Sequence, residues 1–190
     1  MTAIVLVPGG LWEPMPAERF WTETGVTDSL RQHGFRVIAP DRLDRPADWH
    51  VEVEHLRPSL PAESFVLIGA SVGCTVAALL ALEVPVQISR LILAWPATAG
   101  VAEVDAASGA PPQLLTGDIL RGLGRKELAR IGTVTGIVPS IPENPAHQRR
   151  TVDALLRTIP GAHELPGSPE APRPEFRARQ FTDAILPFLR

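Results

Sequence analysis

Phe65-Val66-Leu67-Ile68-Gly69-Ala70-Ser71-Val72-Gly73-Cys74 is the stretch whose reading decides the fold. An apolar, β-branched run enters Gly-x-Ser-x-Gly. A small-residue helix, Thr75 to Leu82, follows at once. Strand, sharp turn and helix are the setting in which this pattern forms a nucleophile elbow. The turn forces the serine into a strained backbone conformation. Gly69 and Gly73 lack side chains, so the helix can pack close beneath it. Ser71 Oγ then stands at the top of a sheet, whereas a plain β–α turn would leave the serine without consequence.

The flanking sequence continues the alternation. Ala3–Val7 reads as a strand ending at Pro8-Gly9-Gly10, and 17–33 as a helix interrupted near Gly25 and ended by Gly34. Strands are expected at 35–39, 65–70, 88–94, 131–138 and 162–165. Helices are expected at 49–60, 72–83, 145–158 and 175–189. Strands alternating with helices imply an α/β fold, with a mainly parallel sheet covered by helices on both faces. In such sheets ligands sit beyond the carboxyl ends of the strands. The segments there are 8–12, 41–49, Ser71, 95–100 and 138–144. The Ala-, Gly- and Pro-rich segment 97–130 reads as a short lid at most.

Bulk properties bound the function. At 190 residues the chain fits one domain. A net charge of −3 gives no sign of a nucleic-acid binder, and the lone Cys74 excludes an internal disulfide or a multi-cysteine zinc site. Met1–Val7 has no charged leader and reads as a strand, and no apolar run reaches the ~18 residues of a membrane span. A cytoplasmic protein is expected.

The chain resembles the α/β-hydrolase family, in a small, nearly capless form. The likeness is carried by Val5-Leu6-Val7-Pro8-Gly9-Gly10-Leu11-Trp12, by Phe35-Arg36-Val37-Ile38-Ala39-Pro40-Asp41, and by Gly69–Gly73. Pro8 stands where the family's first motif often has histidine. The resemblance implies an oxyanion hole from the backbone N–H of Val72 and another near Gly10 or Leu11. It also implies an acid after the second-last strand and a histidine after the last. Here 131–139 contains no acid, the nearest downstream is Glu143, and Ser168-Pro169-Glu170 stands where the histidine belongs.

His163, with Glu143 orienting it, is therefore the best available completion for Ser71, although it lies at the start of its strand. His50, after the 41–49 loop, is the alternative base and a substrate-side residue. His33, His55 and His147 read as helix residues facing solvent. Glu103 and Asp105 are an alternative source of the acid. Trp12, Trp49 and Trp95, near strand ends, suggest an apolar or aromatic ligand, with Trp12 and Trp95 at the pocket. Cys74 reads as core, and Arg121–Arg130 as a solvated helix face.

The function implied is hydrolysis of an ester, thioester or lactone of a small apolar acyl substrate. No metal or organic cofactor, nucleic acid or membrane is implied, and oligomeric state is left open. A serine without its base is a weak nucleophile. Two alternatives therefore stand beside it: a non-hydrolytic cyclase or lyase of the same fold, and a catalytically dead binding protein.

Overall fold

The computed structural model describes all 190 residues. Six strands form one sheet: β1 (Ala3–Val7), β2 (Arg36–Ile38), β3 (Phe65–Ala70), β4 (Ile88–Ala94), β5 (Thr135–Val138) and β6 (His163–Glu164). Their order is β2-β1-β3-β4-β5-β6, and every pairing is parallel. The helices are α1 (Val26–Gln32), α2 (Trp49–Leu56), α3 (Gly73–Glu83), α4 (Ala102–Ser108), α5 (Pro112–Leu115), α6 (Arg125–Leu128), α7 (Arg149–Thr158) and α8 (Ala178–Leu189). The chain leaves β1 outward to β2 and then crosses back to β3. The switch point between β1 and β3 is where a doubly wound sheet opens a crevice.

Side-chain alternation divides the sheet into two faces. Ala3, Val5, Phe65, Leu67, Leu91 and Leu93 point into one apolar layer, under α2, α3 and α7. Ile4, Leu6, Val66, Ile68 and Ile92 point into the other, under α1 and α8. The central strands are buried on both faces, which is why they read as continuous apolar runs. The second layer contains an aromatic group in which Trp95 lies 4.9 Å from Phe181 and 5.6 Å from Phe176, ring centre to ring centre.

Element ends differ from the sequence reading for local reasons. The expected 17–33 helix is a π-turn at Glu18–Thr22 and then α1, separated by Gly25 at φ 85°. β5 begins at Thr135 rather than Ile131, and its pairing with β4 runs from Leu91 to Ala94. The helix expected from Pro145 begins at Arg149, with Gln148 as its extended N-cap. No helix is long and apolar enough to cross a membrane.

Candidate active site

Ser71 follows β3 with φ 53°, in the left-handed region that non-glycine residues rarely adopt. Its neighbours hold it there. Ser71 N donates to Ala94 O at 2.9 Å, and Cys74 N donates back to Ser71 O at 3.1 Å. The two glycines have a steric role. A Cβ on Gly69 would lie 2.7 Å from Ala77 Cβ, and one on Gly73 would lie 2.7 Å from Val7 O. Either would push α3 off the sheet.

The imidazole at Ser71 is His147: Nε2 lies 2.8 Å from Ser71 Oγ. Its Nδ1 lies 2.7 Å from Glu170 Oε1. With Nδ1–H donating to the carboxylate, Nε2 is left free to accept the serine proton. His147 and Glu170 have side chains only 12% and 5% exposed. The relay is thus shielded from water but open at the serine.

Each partner is placed by the loop that carries it. His147 ends an Asn144–His147 turn, whose backbone closes by His147 N donating to Asn144 O at 3.0 Å. The buried Thr98, after β4, secures that turn from the side. Thr98 N donates to Ala146 O at 2.7 Å, and Thr98 Oγ1 accepts from Gln148 N at 2.8 Å. Glu170 follows a bridge between Ser140 and Ser168 that extends the β5–β6 edge. Glu170 Oε1 also accepts from Ser140 Oγ at 2.7 Å and from Asn144 Nδ2, while Oε2 forms an ion pair with Arg173 Nε at 2.6 Å. Burial alone would raise this carboxyl's pKa. The hydrogen bond and charge of His147, with Ser140 and Asn144, outweigh burial and bring it down to about 2. Glu170 is therefore ionised throughout the neutral range.

The residues expected from the sequence as partners of Ser71 lie elsewhere. His163 pairs with Gly136, in register with Ile92 and well short of the strand ends; it is exposed and its ring lies 6.4 Å from that of Phe188. Glu143 is exposed and accepts from Arg149 N at 2.7 Å, at the start of α7. His50 is exposed on α2 and does not reach the cavity. Asp105 binds Arg121, Nη2 to Oδ1 at 2.6 Å. Arg121 itself is only 2% exposed, so it is no part of a solvated face. Trp95 points into the aromatic layer, where its Nε1–H donates to Ser168 Oγ at 3.2 Å, and Trp49 is also buried.

His147 and Glu170 were missed as partners for a definable reason. The resemblance placed an acid after β5 and a histidine after β6, and the chain has them exchanged. The signal was present: an acid stood in the histidine's station at 170, and a histidine stood downstream of β5. Reading Pro145 as a helix start concealed His147 in the first turn of that helix.

Ser71 and His147 open onto a cavity of about 670 Å³. Its walls include Leu11, Trp12, Val72, Val104 and Ala107, with Glu13, Arg45, Glu103 and Arg121 as charged members. Gly10 and Leu11 border it too, and the N–H groups of Gly10, Leu11 and Val72 donate to no other protein group. No cluster of three or more His, Cys, Asp or Glu is arranged to hold a metal ion.

Residues 4–188 match the model of the alpha/beta hydrolase family. No curated protein sequence matches the chain. Among solved structures, the chain is similar to a serine hydrolase involved in carbazole degradation, at 15% identity and a TM-score of 0.75, covering 100% of this chain and 91% of that one. It is similar to a CIB-like hydrolase from Thermoplasma acidophilum at 17% identity and a TM-score of 0.71, covering 99% and 86%. It is similar also to a meta-cleavage product hydrolase from Pseudomonas fluorescens at 18% identity and a TM-score of 0.66, covering 88% and 82%. At these identities the likeness speaks to fold alone.

Proposed function

Because the chain belongs to the alpha/beta hydrolase family, we propose that it is a serine hydrolase cleaving an ester, thioester or lactone of a small apolar acyl compound, with Ser71, His147 and Glu170 as its triad. The observation that carries this reading is the unbroken path from Ser71 Oγ to His147 Nε2, and from Nδ1 to Glu170.

The chemistry follows from the geometry. His147 Nε2 takes the Ser71 proton as Oγ bonds to the substrate carbonyl carbon. The carbonyl oxygen becomes an oxyanion, facing the N–H of Val72 at the start of α3 and those of Gly10 and Leu11. The helix dipole of α3 adds to that field. Glu170 holds the imidazole in the correct tautomer and stabilises its cation. Collapse breaks the bond to the leaving oxygen or sulfur, which takes the proton from His147. Water then enters, loses a proton to the same nitrogen and attacks the acyl carbon. Ser71 recovers its proton as the carboxylic acid departs.

The apolar walls from Leu11, Trp12, Val104 and Ala107 favour an apolar acyl group, and the cavity is of the size that encloses a small molecule. α4 supplies part of that wall and acts as a short lid.

A fluorophosphonate probe and a series of p-nitrophenyl esters test the reading. The wild-type protein is expected to label stoichiometrically and to turn over the esters, and Ser71→Ala to do neither. Folded wild-type protein that is inert to both would overturn hydrolysis in favour of a binding role or a cyclase or lyase.

A further inference from the structure

The loop after β2 places a buried cation behind the first Gly-rich turn. The Arg42 side chain is 6% exposed, and its partner Glu52, on α2, is fully buried. Arg42 Nη2 donates to Glu52 Oε2 at 3.1 Å, and Nε donates to Oε1. The remaining nitrogen, Nη1, donates to three successive carbonyls: Pro8 O at 3.2 Å, Gly9 O at 3.0 Å and Gly10 O at 2.7 Å. One guanidinium thus gathers the carbonyls of an entire turn, while its other edge is fixed by a carboxylate.

A trans peptide is planar, so its C=O and the following N–H point in opposite directions. Drawing the Gly9 carbonyl onto Arg42 turns the Gly10 N–H away from it, and drawing the Gly10 carbonyl there does the same for the Leu11 N–H. Gly10 and Leu11 line the cavity that holds Ser71, and Arg42 does not. Gly9 touches the serine closely enough that a Cβ there would lie 3.0 Å from Ser71 Cβ. Gly10 has φ 92°, a conformation that glycine adopts freely and that needs support from its surroundings to be unique.

We propose that Arg42, anchored by Glu52, is a positioning residue that aims the Gly10 and Leu11 N–H groups at the developing oxyanion. This rests on the hydrolase reading above. A guanidinium suits the task because its fork can hold a carboxylate on one edge and carbonyls on the other, which a lysine ammonium cannot do. Arg42 touches neither substrate nor Ser71 in this scheme. Its effect is to spare the enzyme the reorganisation of free donors during the reaction.

The test is steady-state hydrolysis of p-nitrophenyl butyrate, inhibition by phenylboronic acid, and fluorophosphonate labelling. The proteins are wild type, Arg42→Lys and the double variant Arg42→Met/Glu52→Leu. The double variant removes both buried charges together and leaves neither unpaired. In both variants kcat is expected to fall about 10- to 100-fold, the range for weakened oxyanion donors, with KM changed less than about threefold on the same argument that only transition-state contacts are lost. Phenylboronic acid, whose serine adduct presents an oxygen to the same donors, is expected to bind more weakly in step with kcat. Either variant, folded, with wild-type kcat overturns the role of Arg42. So does a KM rise with kcat unchanged, or an unchanged boronate affinity. If the double variant does not fold, Arg42→Lys decides by the same criteria. Wild-type protein that neither labels nor hydrolyses overturns the hydrolase reading itself, a result distinct from labelled wild type with unaffected Arg42 variants.

Discussion

Glu170 accepts hydrogen bonds from His147, Ser140 and Asn144 and forms an ion pair with Arg173. A carboxylate so fully engaged cannot turn away from the imidazole, and its negative charge faces the ring that the proposed mechanism makes cationic. Replacing it by Glu170→Gln keeps the shape but removes the charge and offers an N–H₂ where His147 needs an acceptor. The expected loss in kcat is on the order of 10³- to 10⁴-fold, the scale of a wrong-tautomer histidine. Glu143→Gln and His163→Gln are expected to stay within about twofold of wild type, as exposed substitutions away from such features generally do. Ester hydrolysis by the purified variants checks all three. The same carboxylate couples stability to pH. Its folded pKa, about 2, lies below the ordinary 4.5. Its ionisation therefore stabilises the fold fully above pH 4.5, and that contribution is lost as the pH falls towards and through 2. Denaturant titrations should show wild type losing its advantage over Glu170→Gln across that window.

At the scale of elements, β3, the elbow and α3 form the unit that the sequence displays most openly. Continuous apolar strand, two glycines and a small-residue helix each state a local requirement, and β3 runs from Phe65 to Ala70 as its composition implies. The close approach explains the glycines: α3 passes so near β1 that Gly73 has no room for a side chain. Gly73→Ala is expected to destabilise the protein by about 2–3 kcal/mol through overpacking, measurable by urea unfolding. The loops after β5 and β6 were far less legible. Their backbone follows no period, and their shape depends on contacts distant in sequence. Thr98 holds the His147 turn from 49 residues away, and Trp95 meets Ser168 across 73. No local pattern records such pairings. Arg121 shows the same limit, since only the fold brings Asp105 to it.

The whole molecule is a scaffold that brings three strand ends to one edge. Ser71 follows β3, His147 follows β5 and Glu170 follows β6, and the parallel order of the sheet sends all three to the same side. The alternation of strands and helices points to that edge, and Ser71, His147 and Glu170 meet there. The occupants of its last two stations were not readable by analogy, because histidine and carboxylate have exchanged places between the loops. The exchange is physically permissible: a relay needs an imidazole between hydroxyl and carboxylate, and neighbouring loops at one edge can supply the two groups in either order. The most direct test is the second-order rate constant for fluorophosphonate reaction at Ser71, compared among wild type, His147→Gln and His163→Gln. The exchanged relay predicts a fall of about 10³-fold or more in His147→Gln and a wild-type rate in His163→Gln. A His147→Gln protein that reacts as fast as wild type, or a His163→Gln protein that does not react, would contradict it.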